Sequence, residues 1–192
     1  MGLFEEAAHL AVDAHAGSVR KGDGSPYVFH PFEVAAIVAG VSRDEEVIAA
    51  ALLHDVVEDT SFSAEELRRR FGNRVADLVA SETEDKREGI PPKESWRIRK
   101  EESLAELEGT DDPGVKLLWL ADKLSNLRSL ARMREREGDA MWNRFHMNDP
   151  KQQEWYYRGV AERTVSLAHT RPWREYSALI EKVFGGIDDG RH

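Results

Sequence analysis

Hydrophobic positions recur at helical spacing along nearly the whole chain. From Leu3 to about Val19, Phe4, Ala7, Ala8, Ala11 and Val12 fall on one helix face. A turn-rich stretch follows, RKGDGSPYVFHP, punctuated by Gly22, Gly24 and Pro26. Phe32 to Val41 reads as a second helix, with Pro31 suited to its first turn. Asp44 caps a third, which continues through Val47 to Thr60. Ser63 and Glu66 form a capping box for a short helix that stops at Gly72. Arg74 to about Ser81 continues as a helix with Val75, Leu78 and Val79 inward.

Glu82 to Pro92 is polar and carries Gly and Pro, so it reads as a loop. Lys93 to Leu107 is a highly charged amphipathic helix. A short GTDDPG linker leads to a long helix from Val115 to about Met133, where Asp122 interrupts an apolar series of leucines. Asn148-Asp149-Pro150 opens a helix through about Ala168, and Pro172 to Phe184 forms the last. The final IDDGRH reads as a frayed end. Strand-period alternation, hairpin signals and internal repeats are missing. The expectation is an all-α fold, a compact multi-helix bundle in one domain over residues 1–192, with its core at about 3–185.

Within this pattern VIAAALLHDVVEDT, Val47 to Thr60, stands out. It starts as a run of small and apolar residues and ends in His54, Asp55, Glu58 and Asp59. A buried helix rarely carries four ionisable groups on two turns unless something binds them. On a continuous helix, His54 and Glu58 share a face, as do Asp55 and Asp59, with Cβ atoms roughly 6 Å apart.

Composition narrows the classes. A chain of 192 residues buries a real core without staples. The absence of cysteine removes disulfides, thiolate metal sites and cysteine nucleophiles, and fits a reducing compartment. No apolar run approaches a membrane span, and MGLFEEAAHL lacks the features of a signal peptide. The expected location is therefore the cytoplasm. The net charge of -9 argues against sequence-independent nucleic-acid binding. Local basic groups at Arg20–Lys21, Lys86–Arg87, Arg97–Arg99–Lys100 and Arg128 suit a small polyanionic ligand, although solvated helix faces are the commoner fate of such charges.

Four positions have metal-ligand chemistry and reason to converge: His30 at the end of the Gly/Pro loop, His54 and Asp55 on the central helix, and Asp122 within a later apolar face. Two imidazoles and two carboxylates suit a first-row divalent ion such as Mn²⁺ or Fe²⁺. Taken singly, each has a structural reading. His30 can bond a carbonyl, and Asp122 can pair with Lys123 or Arg128. Glu58 and Asp59, one turn beyond, can take a proton from water or give one to a leaving group. Two acids at a helix C-terminus oppose the macrodipole, which favours a functional purpose. Asn126 shares a face with Asp122 and can donate to a phosphate or sugar oxygen. His9, His15, His146, His169 and His192 lack comparable carboxylate surroundings and read as structural or surface residues.

The order His30-Pro31, HDVVEDT, FG at 71–72, TEDK at 83–86 and LADKLSNLR at 120–128 resembles the hydrolase domain of the RelA/SpoT alarmone enzymes, most closely their small stand-alone relatives. These are HD-domain metal-dependent phosphohydrolases. The match runs from about His15 to Leu130, and more weakly to Gly185. The resemblance implies a Mn²⁺ ion on His30, His54, Asp55 and Asp122, with Glu58 and Asp59 positioning the attacking water. It further implies nucleotide contacts from Arg20 and Lys21, Asn126 at the ribose or phosphate, and Arg99 and Lys100 at a second phosphate group; Lys86 lies on a loop rich in groups that can reach the ligand. The implied reaction is hydrolysis of the 3′-pyrophosphate of ppGpp or pppGpp to GDP or GTP.

The chain departs from the family pattern at Trp119, where the family has Lys, and at Ser125, where His or Tyr is frequent. The segment RFHMNDPKQQEWYYRG is longer than in the shortest relatives, and Trp155, Tyr156 and Tyr157 either approach a base or pack in the core. These departures are expected to leave the metal site intact and reshape the nucleotide pocket. Other readings keep the fold and change the role: another phosphorylated nucleotide, such as the 2′-phosphate of NADPH, or a non-catalytic nucleotide sensor. The intact Glu58–Asp59 pair counts against the sensor.

Overall fold

The computed structural model describes residues 2–20, 24–87 and 89–185. Lys21 and the terminal IDDGRH lie outside the described residues. The helices follow in the order α1 (Leu3–Ala14), α2 (Phe29–Ala39), α3 (Glu45–Leu53), α4 (Val56–Asp59), α5 (Ala64–Phe71) and α6 (Asn73–Ala80). Then come α7 (Pro92–Gly109), α8 (Pro113–Glu137), a 3₁₀ turn (Gly138–Arg144), α9 (Pro150–Arg163), a second 3₁₀ turn (Val165–Leu167) and α10 (Arg171–Phe184). The described residues form no strand, only an isolated antiparallel bridge between Val19 and Pro26. The all-α expectation holds.

Two helices make the centre. In α3, Val47, Ala49, Ala50, Ala51, Leu52 and Leu53 are buried, and the small side chains let α1, α2 and α6 pack against it. In α8, Leu117, Leu118, Trp119, Leu120, Ala121, Leu124 and Leu127 are buried, so the stretch from Leu117 to Ala121 is apolar on every face and runs through the interior. Helices α2, α3, α9 and α10 pack around α8. Hence α8 can deliver Asp122 to a buried site.

The local start signals act as their chemistry dictates. Asp44 accepts from the Glu46 amide at 3.0 Å. The Ser63–Glu66 capping box closes in both directions, at 3.2 Å and 3.0 Å. Asp149 accepts from the Lys151 amide at 2.9 Å. Gly72, at φ 88, makes the turn from α5 into α6 in a region that disfavours side chains. A Cβ on Gly159 would lie 2.8 Å from Leu104 Cδ1, so the glycine permits the close approach of α9 to α7.

Three stretches differ from the periodic reading. Helix α1 stops at Ala14 rather than near Val19, and Gly17 adopts φ 77. The backbone then pairs with itself: the Arg20 amide donates to Ser25 at 2.9 Å and the Tyr27 amide to Ser18 at 2.8 Å. Helix α9 stops at Arg163, where the Thr164 hydroxyl donates to the Val160 carbonyl at 2.8 Å. The 3₁₀ turn after α8 has no strong periodic signal, yet it buries Met141 and Trp142 and stacks Trp142 on Phe184 at 5.6 Å.

Candidate active site

The central stretch is two helices, not one. Helix α3 ends at Leu53, α4 begins at Val56, and Asp55 sits at φ -93, ψ -5, in the sparsely used bridge region. The correction has a local cause. His54 Nδ1 turns back to the Ala51 carbonyl at 2.8 Å, the acceptor that an uninterrupted helix gives to the Asp55 amide. The break sets His54 and Asp55 at a corner facing α2 and α8.

There they meet His30 from the start of α2 and Asp122 from the middle of α8. His30 Nε2 lies 2.9 Å from Asp122 Oδ1 and 3.6 Å from Asp55 Oδ2. His54 Nε2 lies 3.0 Å from Asp55 Oδ2 and 3.7 Å from Asp122 Oδ1. The two Nε2 atoms are 3.3 Å apart. His30, His54 and Asp122 are nearly inaccessible, whereas Asp55 is 18% exposed at the rim.

The imidazole tautomers follow from their partners. A carbonyl only accepts, so His54 Nδ1 carries the proton it gives to Ala51. The Ser125 hydroxyl donates to Glu33 Oε2 at 2.7 Å, so it accepts from His30 Nδ1 at 2.9 Å. With Nδ1 protonated in each ring, both Nε2 atoms are the ones free to ligate an ion, and they face each other alongside two carboxylate oxygens. Such a convergence of acceptors calls for a cation between them. Donors about 2.1 Å from an ion and at right angles lie about 3 Å apart, which matches the shorter spacings. His30, His54 and Asp122 form a cluster able to hold a metal ion, and Asp55 stands beside it.

The surroundings hold the cluster's charge. Burial alone would push Asp122 up, but Lys123 and the two imidazoles keep its carboxyl well below the usual range. Burial likewise opposes a charge on His54, and Asp55 and Asp122 overcome it, raising His54 well above its ordinary value. The Tyr27 hydroxyl donates to Asp55 Oδ2 at 2.6 Å, and burial together with Asp55 raises its pKa. Lys123 bridges Asp122 to Glu82, whose Oε2 lies at 3.3 Å. Burial pushes Glu82 up to about 8, partly offset by Lys123. Arg128 takes no part in the cluster; it joins Glu33 at 2.9 Å and Glu175 at 2.7 Å, tying α8 to α2 and α10.

Of the remaining sequence candidates, all but Lys86 and the undescribed Lys21 border two neighbouring spaces. A recess of about 200 Å³ is lined by His30, Asp55, Glu58, Arg99, Lys100 and Asp122, among others. A cleft of about 550 Å³ includes Arg20, Asp59, Trp96, Tyr156 and Tyr157 in its lining. Tyr27, Lys100, Lys123 and Asn126 border both. Glu58 is half-buried, and burial raises its pKa despite Lys86. Arg20 donates to Asn126 Oδ1 at 2.8 Å, and Asn126 donates to Asp122 Oδ1 at 2.9 Å. Lys86 reaches the acid pair: its Nζ lies 2.9 Å from the Glu58 carbonyl and 3.2 Å from Asp59 Oδ1. Arg99 and Lys100 both engage Glu84.

Tyr27 and Glu82 carry no recognisable signal in the sequence, and Lys123 and Glu84 lie in quoted motifs without an assigned role at the site; all four find partners far along the chain. His15, read as structural or surface, is buried, packs on Tyr27 at 4.9 Å and borders the cleft. His15 Nε2 and the Tyr156 hydroxyl are buried without a hydrogen-bond partner among the described residues. Tyr156 and Tyr157 are both core and cleft wall. Trp119 is buried, donates to the Ser81 carbonyl at 3.1 Å and carries Lys123 Nζ over its ring at 4.8 Å. Ser125 lies against His30 of the cluster, its hydroxyl 2.9 Å from His30 Nδ1.

An all-α bundle that brings two histidines and two aspartates together at a helix corner defines the HD-domain class. The HD-domain family model matches residues 7–145, and the chain belongs to that family. It is similar to the human guanosine-3′,5′-bis(diphosphate) 3′-pyrophosphohydrolase MESH1, with 43% identity over 131 residues, covering 66% of this chain and 69% of the human one. A Haemophilus influenzae guanosine-3′,5′-bis(diphosphate) 3′-pyrophosphohydrolase is 38% identical over 132 residues, covering 65% of this chain. The chain matches only 18% of the length of that relative. Among solved structures, a metazoan ortholog of SpoT that hydrolyses ppGpp superposes with a TM-score of 0.74 at 29% identity, covering 96% of this chain and 97% of that one. A Listeria monocytogenes structure superposes with a TM-score of 0.70 at 34% identity, covering 81% and 98%. HD phosphohydrolases are metal-dependent, in keeping with the cluster of His30, His54 and Asp122. Among the described residues, no helix is long and apolar enough to cross a membrane.

Proposed function

We propose that this chain hydrolyses the 3′-pyrophosphate of guanosine alarmones, converting ppGpp or pppGpp and water to GDP or GTP and pyrophosphate. The carrying observation is the convergence of His30 Nε2 and His54 Nε2 with Asp55 and Asp122, beside a half-buried acid and a nucleotide-sized cleft. The likeness to guanosine-3′,5′-bis(diphosphate) 3′-pyrophosphohydrolases supports the same substrate. We assign His30, His54, Asp55 and Asp122 as ligands of Mn²⁺, with Fe²⁺ the nearest alternative in donor preference. When bound, the ion polarises phosphoryl oxygens and acidifies water.

The chain's own groups do the rest. Glu58 and Asp59 hold the attacking water and take its proton. The water oxygen bonds to the phosphorus on the 3′ oxygen, the P–O3′ bond breaks, and the 3′ oxygen leaves with the bonding pair and gains a proton. Lys86 fixes the acid pair rather than the nucleotide. Asn126 and Arg20 meet the ribose and 5′ phosphates, with Lys21 assigned the same role from the sequence. Arg99 and Lys100 hold a phosphate group at the recess. Trp96, Tyr156 and Tyr157 offer ring faces and edges to the base. Action in the cytoplasm fits the cysteine-free composition and a small nucleotide substrate.

The test separates binding from chemistry. His54→Ala and Asp55→Ala lose Mn²⁺ by calorimetric titration. Glu58→Gln keeps Mn²⁺ and loses turnover by about 10²–10⁴-fold. Undiminished turnover in Glu58→Gln would remove that residue from the mechanism.

A further inference from the structure

Between α6 and α7 the described residues form no helix, and three of them, two apart in sequence, reach partners at the site. Glu82 meets Lys123, Glu84 meets Arg99 and Lys100, and Lys86 meets Glu58 and Asp59. Glu84 differs from the other two because it gathers three donors. Its Oε2 accepts from Arg99 Nη1 at 2.8 Å, and its Oε1 accepts from Lys100 Nζ and from the Ser103 hydroxyl at 3.3 Å. The Arg99, Lys100 and Glu84 side chains are 15%, 17% and 11% exposed, so this is a half-enclosed pocket rather than a surface pair. All three line the recess that contains His30, Asp55 and Asp122.

A guanidinium, an ammonium and a hydroxyl around two oxygens are the contacts that a phosphoryl group takes. We propose that Glu84 fills an anion subsite built by Arg99, Lys100 and Ser103, which a phosphoryl group of the substrate occupies by displacing the carboxylate. Glu84 is thus a specificity-determining residue. The substrate's identity rests on the reading above; the exchange of carboxylate for phosphate does not.

The exchange is a competition between anions. Glu84 carries a single charge on a tether, and a tethered competitor acts at an effective concentration on the order of millimolar. A phosphoryl group brings a charge of about -1.5 to -2 and a third acceptor oxygen. It therefore displaces the carboxylate, whereas a neutral ligand leaves Glu84 in place. The displaced side chain turns to water, and no covalent bond changes. Were Glu84 only a prop for Arg99 and Lys100, its loss would loosen both cations and weaken anion binding. The two accounts predict opposite signs.

The test uses the full chain with Mn²⁺ present, titrated calorimetrically with inorganic phosphate and separately with uncharged guanosine. Glu84→Gln keeps the shape and removes the charge. It is expected to bind phosphate about tenfold more tightly than wild type, with guanosine affinity unchanged. Adding Arg99→Ala abolishes the gain, which separates this subsite from the ion itself. Glu84→Asp, which withdraws the charge on a shorter arm, shifts phosphate affinity in the same direction and serves should the Gln variant fold poorly. Equal or weaker phosphate binding in well-folded Glu84 variants overturns the proposal. Because no turnover is read, a wild type inactive on ppGpp would reject the substrate reading and leave this result standing.

Discussion

Ser125→Ala tests the cluster through a residue that touches no metal. Ser125 is wholly buried, so no water replaces its hydroxyl. That hydroxyl spends its only proton on Glu33 and accepts the His30 Nδ1 proton at 2.9 Å. In the variant, His30 keeps a buried N–H without an acceptor, which costs about 1–3 kcal/mol. The alternative is worse for metal: moving the proton to Nε2 aims it at the cluster. Loss of such a support typically costs about 10–100-fold in metal affinity, the same range in free energy. Glu33 retains Arg128 at 2.9 Å, so the link between α2 and α8 survives. The assay is Mn²⁺ calorimetry alongside thermal melting. The expected result is a Kd raised by about 10–100-fold with a cooperative melt retained. A Kd within about twofold of wild type would refute the tautomer argument, since a support of this kind normally carries tenfold or more.

Other outcomes follow from the same contacts. Tyr27→Phe removes the donor to Asp55 Oδ2 and is expected to weaken Mn²⁺ binding by about tenfold, read by the same titration. Trp119→Phe loses the bond to Ser81 and ring volume in the core; it should lower stability by about 1–3 kcal/mol in urea melts and leave kcat/KM nearly unchanged. Mn²⁺ affinity should fall on acidification: Asp55 and Asp122 raise the metal-free His54 pKa, so a proton competes for Nε2, and titrations in buffers of different ionisation enthalpy should show proton release on binding. The acid limb of the rate profile should lie above the usual glutamate range of about 4.3, because burial raises Glu58 and it must be ionised to take a proton; activity is then full above that pKa and lost as pH falls through it, and Glu58→Gln removes the limb.

What was legible in the sequence follows how local each signal is. The Ser63–Glu66 box and the Asp149–Pro150 start depend on atoms within one turn, and both helices begin where those residues put them. The apolar series from Leu117 to Leu127 marks the interior part of α8 before any contact is seen. The break at His54 is different, because it comes with a side chain that takes a backbone acceptor and a corner turned towards α2 and α8. Periodicity sees only the apolar run leading into it. The meeting of His30, His54, Asp55 and Asp122 was anticipated from the order of motifs, whereas their spacing along the chain says little by itself. Tyr27 could not be singled out, since an isolated tyrosine reads as ordinary until Asp55 is seen beside it, and Glu84 sat within the TEDK motif without a role until Arg99 is seen beside it. Lys86 shows a different limit: its place on a polar loop suggested a ligand contact, and its pairing with Glu58 and Asp59 could not be read from the sequence.

The central claim is the reaction, and product identity tests it most directly. Wild-type protein supplied with Mn²⁺ is incubated with ppGpp, and separately with NADPH, and phosphorus NMR follows the products. The account predicts GDP and pyrophosphate in equal amounts from ppGpp. Intact ppGpp alongside orthophosphate released from NADPH would contradict it.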